Sequence, residues 1–137
     1  MPEQNQWVIA QARLRIGLLA PTSTAALALG HVELRPCGPR RWLVADYRSP
    51  AGATLTIGEG RPQVCANLGV APTLAVWHIH GQPARLLEFC APAGCARTSG
   101  DYALAWRERG VGINLITHGL SQHDLLAIAQ SMAVVPA

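Results

Sequence analysis

The sequence contains no lysine and one phenylalanine, and only 14% of its residues are charged, against about 25% in an average soluble domain. Half of the chain is hydrophobic, which excludes an intrinsically disordered polymer or a solvating charged tail. The eleven basic residues are all arginines and are scattered, with only Arg40–Arg41 and Arg107/Arg109 close together. A nucleic-acid binder concentrates its positive charge on one face or stripe, so nucleic acid is not an expected partner. No hydrophobic run reaches the roughly 18 residues of a membrane-spanning helix. The opening MPEQNQWVIAQARLR has no basic stretch ahead of an apolar one, so it does not read as a secretory signal. Cytoplasmic residence and a chain trimmed of its export signal or anchor both remain open.

Catalytic signatures are equally scarce. There is no GxSxG, no GxxxxGK[ST], no HExxH and no GxGxxG opening a helix. Acidic residues are few and dispersed, so no carboxylate pair stands out, and Gly58-Glu59-Gly60 reads as a turn after a strand. No cofactor is expected. The 137 residues suit one domain over 1–137, long enough to bury a core without help from disulfides or metal.

What is present is a pattern of short strands between two helices. Residues 5–19 carry a loose helical pattern that Pro21 should stop, and 1–22 form a helix and its connection. Segments 29–35, 42–47, 54–57, 73–80, 84–90, 102–107 and 112–117 are short and rich in alternating or β-branched residues. Turn chemistry separates them at Pro36-Cys37-Gly38-Pro39, Ser49-Pro50-Ala51-Gly52, Gly81-Gln82-Pro83 and Glu108-Arg109-Gly110. Parallel pairing would demand long crossovers, so the strands over 29–117 predict an antiparallel meander. At 121–132, Ser121 is a good N-cap, Asp124 places a carboxylate in the first turn, and Leu120 and Leu125 occupy the staple positions. Leu125, Ile128, Ala129 and Met132 form the stripe that should pack on the sheet. The fold class is therefore α+β: a curved antiparallel sheet of about six to seven strands on an N-terminal and a C-terminal helix.

Four cysteines, Cys37, Cys65, Cys90 and Cys95, permit three disulfide connectivities. Cys90 and Cys95 bracket a Pro- and Gly-containing loop that a disulfide could tie, leaving Cys37 with Cys65. Free buried thiols are the plain alternative, and a nucleophilic Cys90 or Cys95 lacks a histidine placed beside it. His78 and His80 alternate on one strand face and, with two cysteines, could complete a zinc site, although neither CxxC nor HxxxH occurs. His31, His118 and His123 read as surface or cap residues. Four of the seven aromatics are tryptophans. Trp42, Trp77 and Trp106 fall in strands and are either core or the wall of an apolar cleft. Trp7 caps one end of the core or sits at a ligand groove.

Four ordered segments carry a resemblance: Gly81-Gln-Pro-Ala-Arg-Leu86, Tyr102-Ala-Leu-Ala-Trp106-Arg-Glu-Arg-Gly110, Leu115-Ile-Thr-His-Gly-Leu-Ser121 and Leu125-Leu-Ala-Ile-Ala-Gln-Ser-Met132. Together they resemble a bacterial domain-of-unknown-function family found on anti-sigma-factor-like proteins and lipoproteins. Its pattern is a G-x-x-A strand, a W-x-E-x-G hairpin and a closing G-L-S-x-x-E-L-L-x-I-A-x-S-L helix. Asp124 and Met132 stand where that family has glutamate and leucine. Leu18-Leu-Ala-Pro21-Thr22 is similar to its P-x-x-x-P-T entry, without the L-P-x-G-Y that follows. The resemblance implies a half-barrel like that of lipoprotein carriers and an extracytoplasmic sensing or binding module, a location that suits disulfides. It implies no catalytic residue. The expectation is a non-enzymatic domain that binds a protein or an apolar small molecule, with possible attachment to a membrane protein. The alternative is a thiol- or zinc-dependent protein using the sheet's cysteines and histidines.

Overall fold

The computed structural model describes residues 2–61, 72–88 and 101–137. Helix α1 (Pro2–Leu14) begins on a proline, whose missing N–H costs nothing in the first turn, and has Glu3 near its positive end and Arg13 near its negative end. It ends where Arg15 turns left-handed (φ 58°), six residues before the proline expected to stop it. The chain then forms a short strand, β1 (Leu19–Pro21).

Seven longer strands follow: β2 (Ala28–Cys37), β3 (Arg40–Arg48), β4 (Thr54–Gly60), β5 (Thr73–Ile79), β6 (Gln82–Glu88), β7 (Tyr102–Glu108) and β8 (Val111–His118). Helix α2 (Gln122–Ser131) and a short strand, β9 (Met132–Val134), close the chain. All pairings are antiparallel, and the seven-stranded sheet is open, in the order β2-β3-β4-β8-β7-β6-β5. This corrects the simple meander. Two meanders, β2–β4 and β5–β8, are joined by β4 against β8, so β5 is an outer edge rather than the neighbour of β4.

The hairpins follow from turn chemistry. Arg109-Gly110 and His80-Gly81 each place two consecutive residues at positive φ (57° and 77°, 51° and 80°), the geometry whose twist matches the flanking strands. The second case moves a turn. It uses His80 and Gly81, and Gln82 and Pro83 already belong to β6. Gly58-Glu59-Gly60 is likewise the last part of β4, with Glu59 opposite Ile113 and Leu43, and not a turn.

Strand alternation sends Leu43, Ala45, Leu55, Ile57, Leu104, Trp106, Ile113 and Leu115 into a core shared with both helices. Helix α2 contributes Leu125, Ile128 and Ala129, followed by Met132, all buried as their spacing requires. Its first turn is capped as expected, with Ser121 Oγ accepting from the Asp124 N–H at 3.0 Å. Among the described side chains of helix α1, only Trp7 and Ala10 are buried, with Leu14 packed on the core margin. It also covers the β2 edge, whose Val32 and Leu29 N–H groups donate to Gln6 Oε1 (3.2 Å) and Glu3 Oε1 (3.3 Å). Val44, Leu87 and Ala103 are buried too, although they are not part of the core that the helices share.

Candidate functional site

The small sheet makes the first feature. β1 and β9 pair from Leu19–Val134 to Pro21–Met132, joining segments from near the two ends of the sequence. Gln11 reinforces the pair, accepting from the Leu18 N–H (2.8 Å) and donating to the carbonyls of Val135 (3.1 Å) and Pro136 (3.2 Å). Thr22 donates through both its N–H and its hydroxyl to Ser131.

Between this clasp, the start of α1 and the end of β3 lies a cleft of about 420 Å³. Its walls are mainly apolar, with Pro21, Val134, Val135 and Pro136 among them, and Glu3, Gln4 and Thr22 are polar members of the lining. Trp7 and Tyr47 border it from the core side, each 2% exposed. The Trp7 indole N–H donates to the Tyr47 hydroxyl at 3.1 Å, which fixes both rings. Burial pushes the Tyr47 phenol up to about 12, opposed by the Trp7 bond and helped by the negative charges of Glu3 and Glu59. It is therefore neutral at physiological pH, a hydrogen-bonding group at the margin of an apolar cavity.

Under the clasp sits a carboxyl with no exposure at all. Glu59 Oε1 accepts the Leu19 N–H at 2.8 Å, and Oε2 has no hydrogen-bond partner among the described residues. Burial pushes this carboxyl up to about 8, against the Leu19 bond and with help from the charge of Glu108. Close by, His80 Nδ1 meets Glu108 Oε1 at 2.8 Å and Nε2 meets the Gln130 carbonyl at 3.0 Å. Two acceptors on one ring favour the imidazolium, which donates to both. The Gln130 carbonyl is the largest cause of the raised pKa of His80; burial opposes it and Glu108 adds to it. Trp106 also donates to Glu108, at 3.1 Å.

The candidate residues are not assembled as a single site. Trp106 is core, Trp77 is half-buried on the edge strand β5, and Trp42 is half-buried at the start of β3. Register places Trp42 one residue before Leu43 and so on the opposite sheet face from the core. Trp7, which the sequence left between the end of the core and a ligand groove, is buried in the core and borders the apolar cleft. His78 and His80 do not share a strand face, because β5 ends at Ile79 and His80 is a turn residue with both nitrogens engaged. Cys37 is disulfide-bonded, so its sulfur is no thiolate ligand or nucleophile; Cys65, Cys90 and Cys95 lie outside the described residues. No cluster of three metal-ligating side chains occurs among the described residues. Trp7 had a faint signal in its i, i+3, i+7 spacing with Ala10 and Leu14. Glu59 had none, since a charged residue between glycines looks like a turn.

Comparison with protein-family models, curated proteins and solved structures found no match to this chain.

Proposed function

We propose that this domain is a non-enzymatic, extracytoplasmic binding or sensor module that takes a small apolar molecule, bearing one hydrogen-bond donor, into the cleft between α1, β1 and β9. The observation that carries this reading is the cleft itself, about 420 Å³ and largely apolar, with the Trp7–Tyr47 pair already fixed beside it. That volume lies in the range of small-molecule pockets. Glu3 and Thr22 in its lining suit a donor at one end of the ligand. The extracytoplasmic assignment draws support from the disulfide at Cys37 and from the resemblance of the C-terminal half.

The test uses N-phenyl-1-naphthylamine, an uncharged apolar fluorophore. Saturable binding with a blue-shifted emission is expected, and Val134→Trp should abolish it by filling the cleft. Val134 is 54% exposed, so that substitution leaves the core alone, as circular dichroism would verify. Absent binding, or binding indifferent to Val134→Trp, overturns the reading.

A further inference from the structure

We propose that the end of the sheet carrying the β2–β3 turn is a second binding site, for an anionic amphiphile whose phosphate-bearing headgroup is attached to an acyl chain. A pocket of about 240 Å³ there is lined by Arg13, Leu14, Ile16, Arg40, Arg41 and Arg61. Its four arginines come from the last turn of α1, the first residues of β3 and the residue after β4, so the fold gathers what the sequence scatters.

Among the described residues, no carboxylate lines this pocket and none of the four arginines has an ion-pair partner. Arg40 is held in place through Nη1, which donates to the Arg61 carbonyl at 3.0 Å. The Arg61 guanidinium lies near Gly110 of the β7–β8 turn. Like charges brought together repel, and the group that best relieves four guanidiniums is an oxyanion with several acceptor oxygens, which planar N–H forks grip in pairs.

A neighbouring groove identifies the rest of the ligand. It measures about 400 Å³, and Arg13 and Arg41 line it as well as the arginine pocket. Ile9, Ala10, Val32 and Leu34 give it apolar walls, and Ile9 is 53% exposed. Glu33 is also on this groove, engaged by Arg35 at 2.5 Å, and its charge steers an anionic head toward the arginine end. A free phosphate would leave the apolar groove empty. A phosphate head with a hydrocarbon chain fills both spaces. Neither space shares a residue with the Trp7 cleft, so the two proposals stand or fall separately.

The test is calorimetric titration with dihexanoyl phosphatidylglycerol below its micelle concentration, beside glycerol 3-phosphate and dihexanoyl phosphatidylcholine. Saturable binding of the anionic lipid is expected, weakening as salt is raised. Glycerol 3-phosphate and the zwitterionic lipid should each bind more weakly. The double substitution Arg13→Gln/Arg41→Gln should weaken binding about tenfold or more, as the loss of charge-assisted contacts implies. Ile9→Ser should weaken the lipid but not glycerol 3-phosphate. All three positions are exposed, and thermal melts would confirm that the variants fold. No saturable binding, affinity independent of salt, or affinity unchanged in the arginine variant overturns the site. Glycerol 3-phosphate binding as tightly as the lipid overturns the amphiphile and leaves a free-phosphate site.

Discussion

At one end of the sheet, carboxyl groups and guanidiniums are treated in opposite ways. Glu59 and Glu108 turn inward, where a backbone amide, an indole and a histidine meet them. Arg13, Arg40, Arg41 and Arg61 stand outside, exposed and without carboxylate partners among the described residues. The separation has a structural reason. Short acidic side chains on an inward-facing strand position are trapped by burial, whereas an arginine's long stem carries its charge out to water. It also divides the labour: the inner group fastens the β1–β9 clasp to the sheet, and the outer group stays open to ligands.

The contrast is broken most severely from the inside. Glu59→Ala would leave the buried Leu19 amide unpaired and open a cavity between Leu43 and Ile113. A loss of about 2–4 kcal/mol in urea unfolding is expected, from the cavity and the orphaned donor together. A loss below about 0.5 kcal/mol, the size of an ordinary surface change, would show that the Leu19 bond holds nothing in place.

The next effect is on pH. The Glu59 carboxyl titrates near 8 in the folded chain and near its usual 4.5 when unfolded. The unfolded chain therefore releases this proton first, and the stability the carboxyl contributes is complete below 4.5 and lost as pH rises toward 8. The slope from this one group is about 1.4 kcal/mol per pH unit. His80, also raised, acts in the same direction: its contribution is complete below 6.5 and fades as pH climbs through its elevated value. Glu59→Gln should remove most of the slope between pH 5 and 8 in denaturant titrations, leaving the shallower part due to His80. An unchanged slope would mean that Glu59 ionises in place.

From the outside, the expected effect is smallest. Arg40→Gln should alter stability by no more than about 0.5 kcal/mol, since it removes one exposed bond to a carbonyl. Any change should be toward greater stability at low salt, where the arginines repel most. A clear destabilisation would show that the arginine group has a structural role after all.

Much of the fold was legible because its signals are local. Ser121 and the leucines around it mark α2, and Gly38-Pro39, Arg109-Gly110 and the segment around Gly52 mark turns by their backbone demands. Strand order was not legible, because the β4–β8 pairing joins residues about 58 positions apart and leaves no local trace. The clasp was hidden for another reason: two three-residue strands, one ending in proline, fall below any alternation that a sequence displays. His80 was misplaced because a histidine can occupy the positive-φ turn position usually given to asparagine or glycine. The candidate sites were the least legible part. Trp7 meets Tyr47 across 40 positions, and Arg13, Arg40 and Arg61 approach only once helix and sheet are docked.

The β4–β8 seam also sets an order of assembly. The hairpins of β2–β4 close over short turns, so that half of the sheet can organise alone as it leaves the ribosome. The seam itself waits for residues 112–118. At the usual elongation rates of about 5–20 residues per second, the first half exists for roughly 3–10 seconds before its partner strand has been synthesised. Throughout that interval Leu55 and Ile57 lie on a strand paired with β3 on one side and open along its other edge. The nascent chain is then most exposed to capture by a neighbouring copy, and most in need of a chaperone.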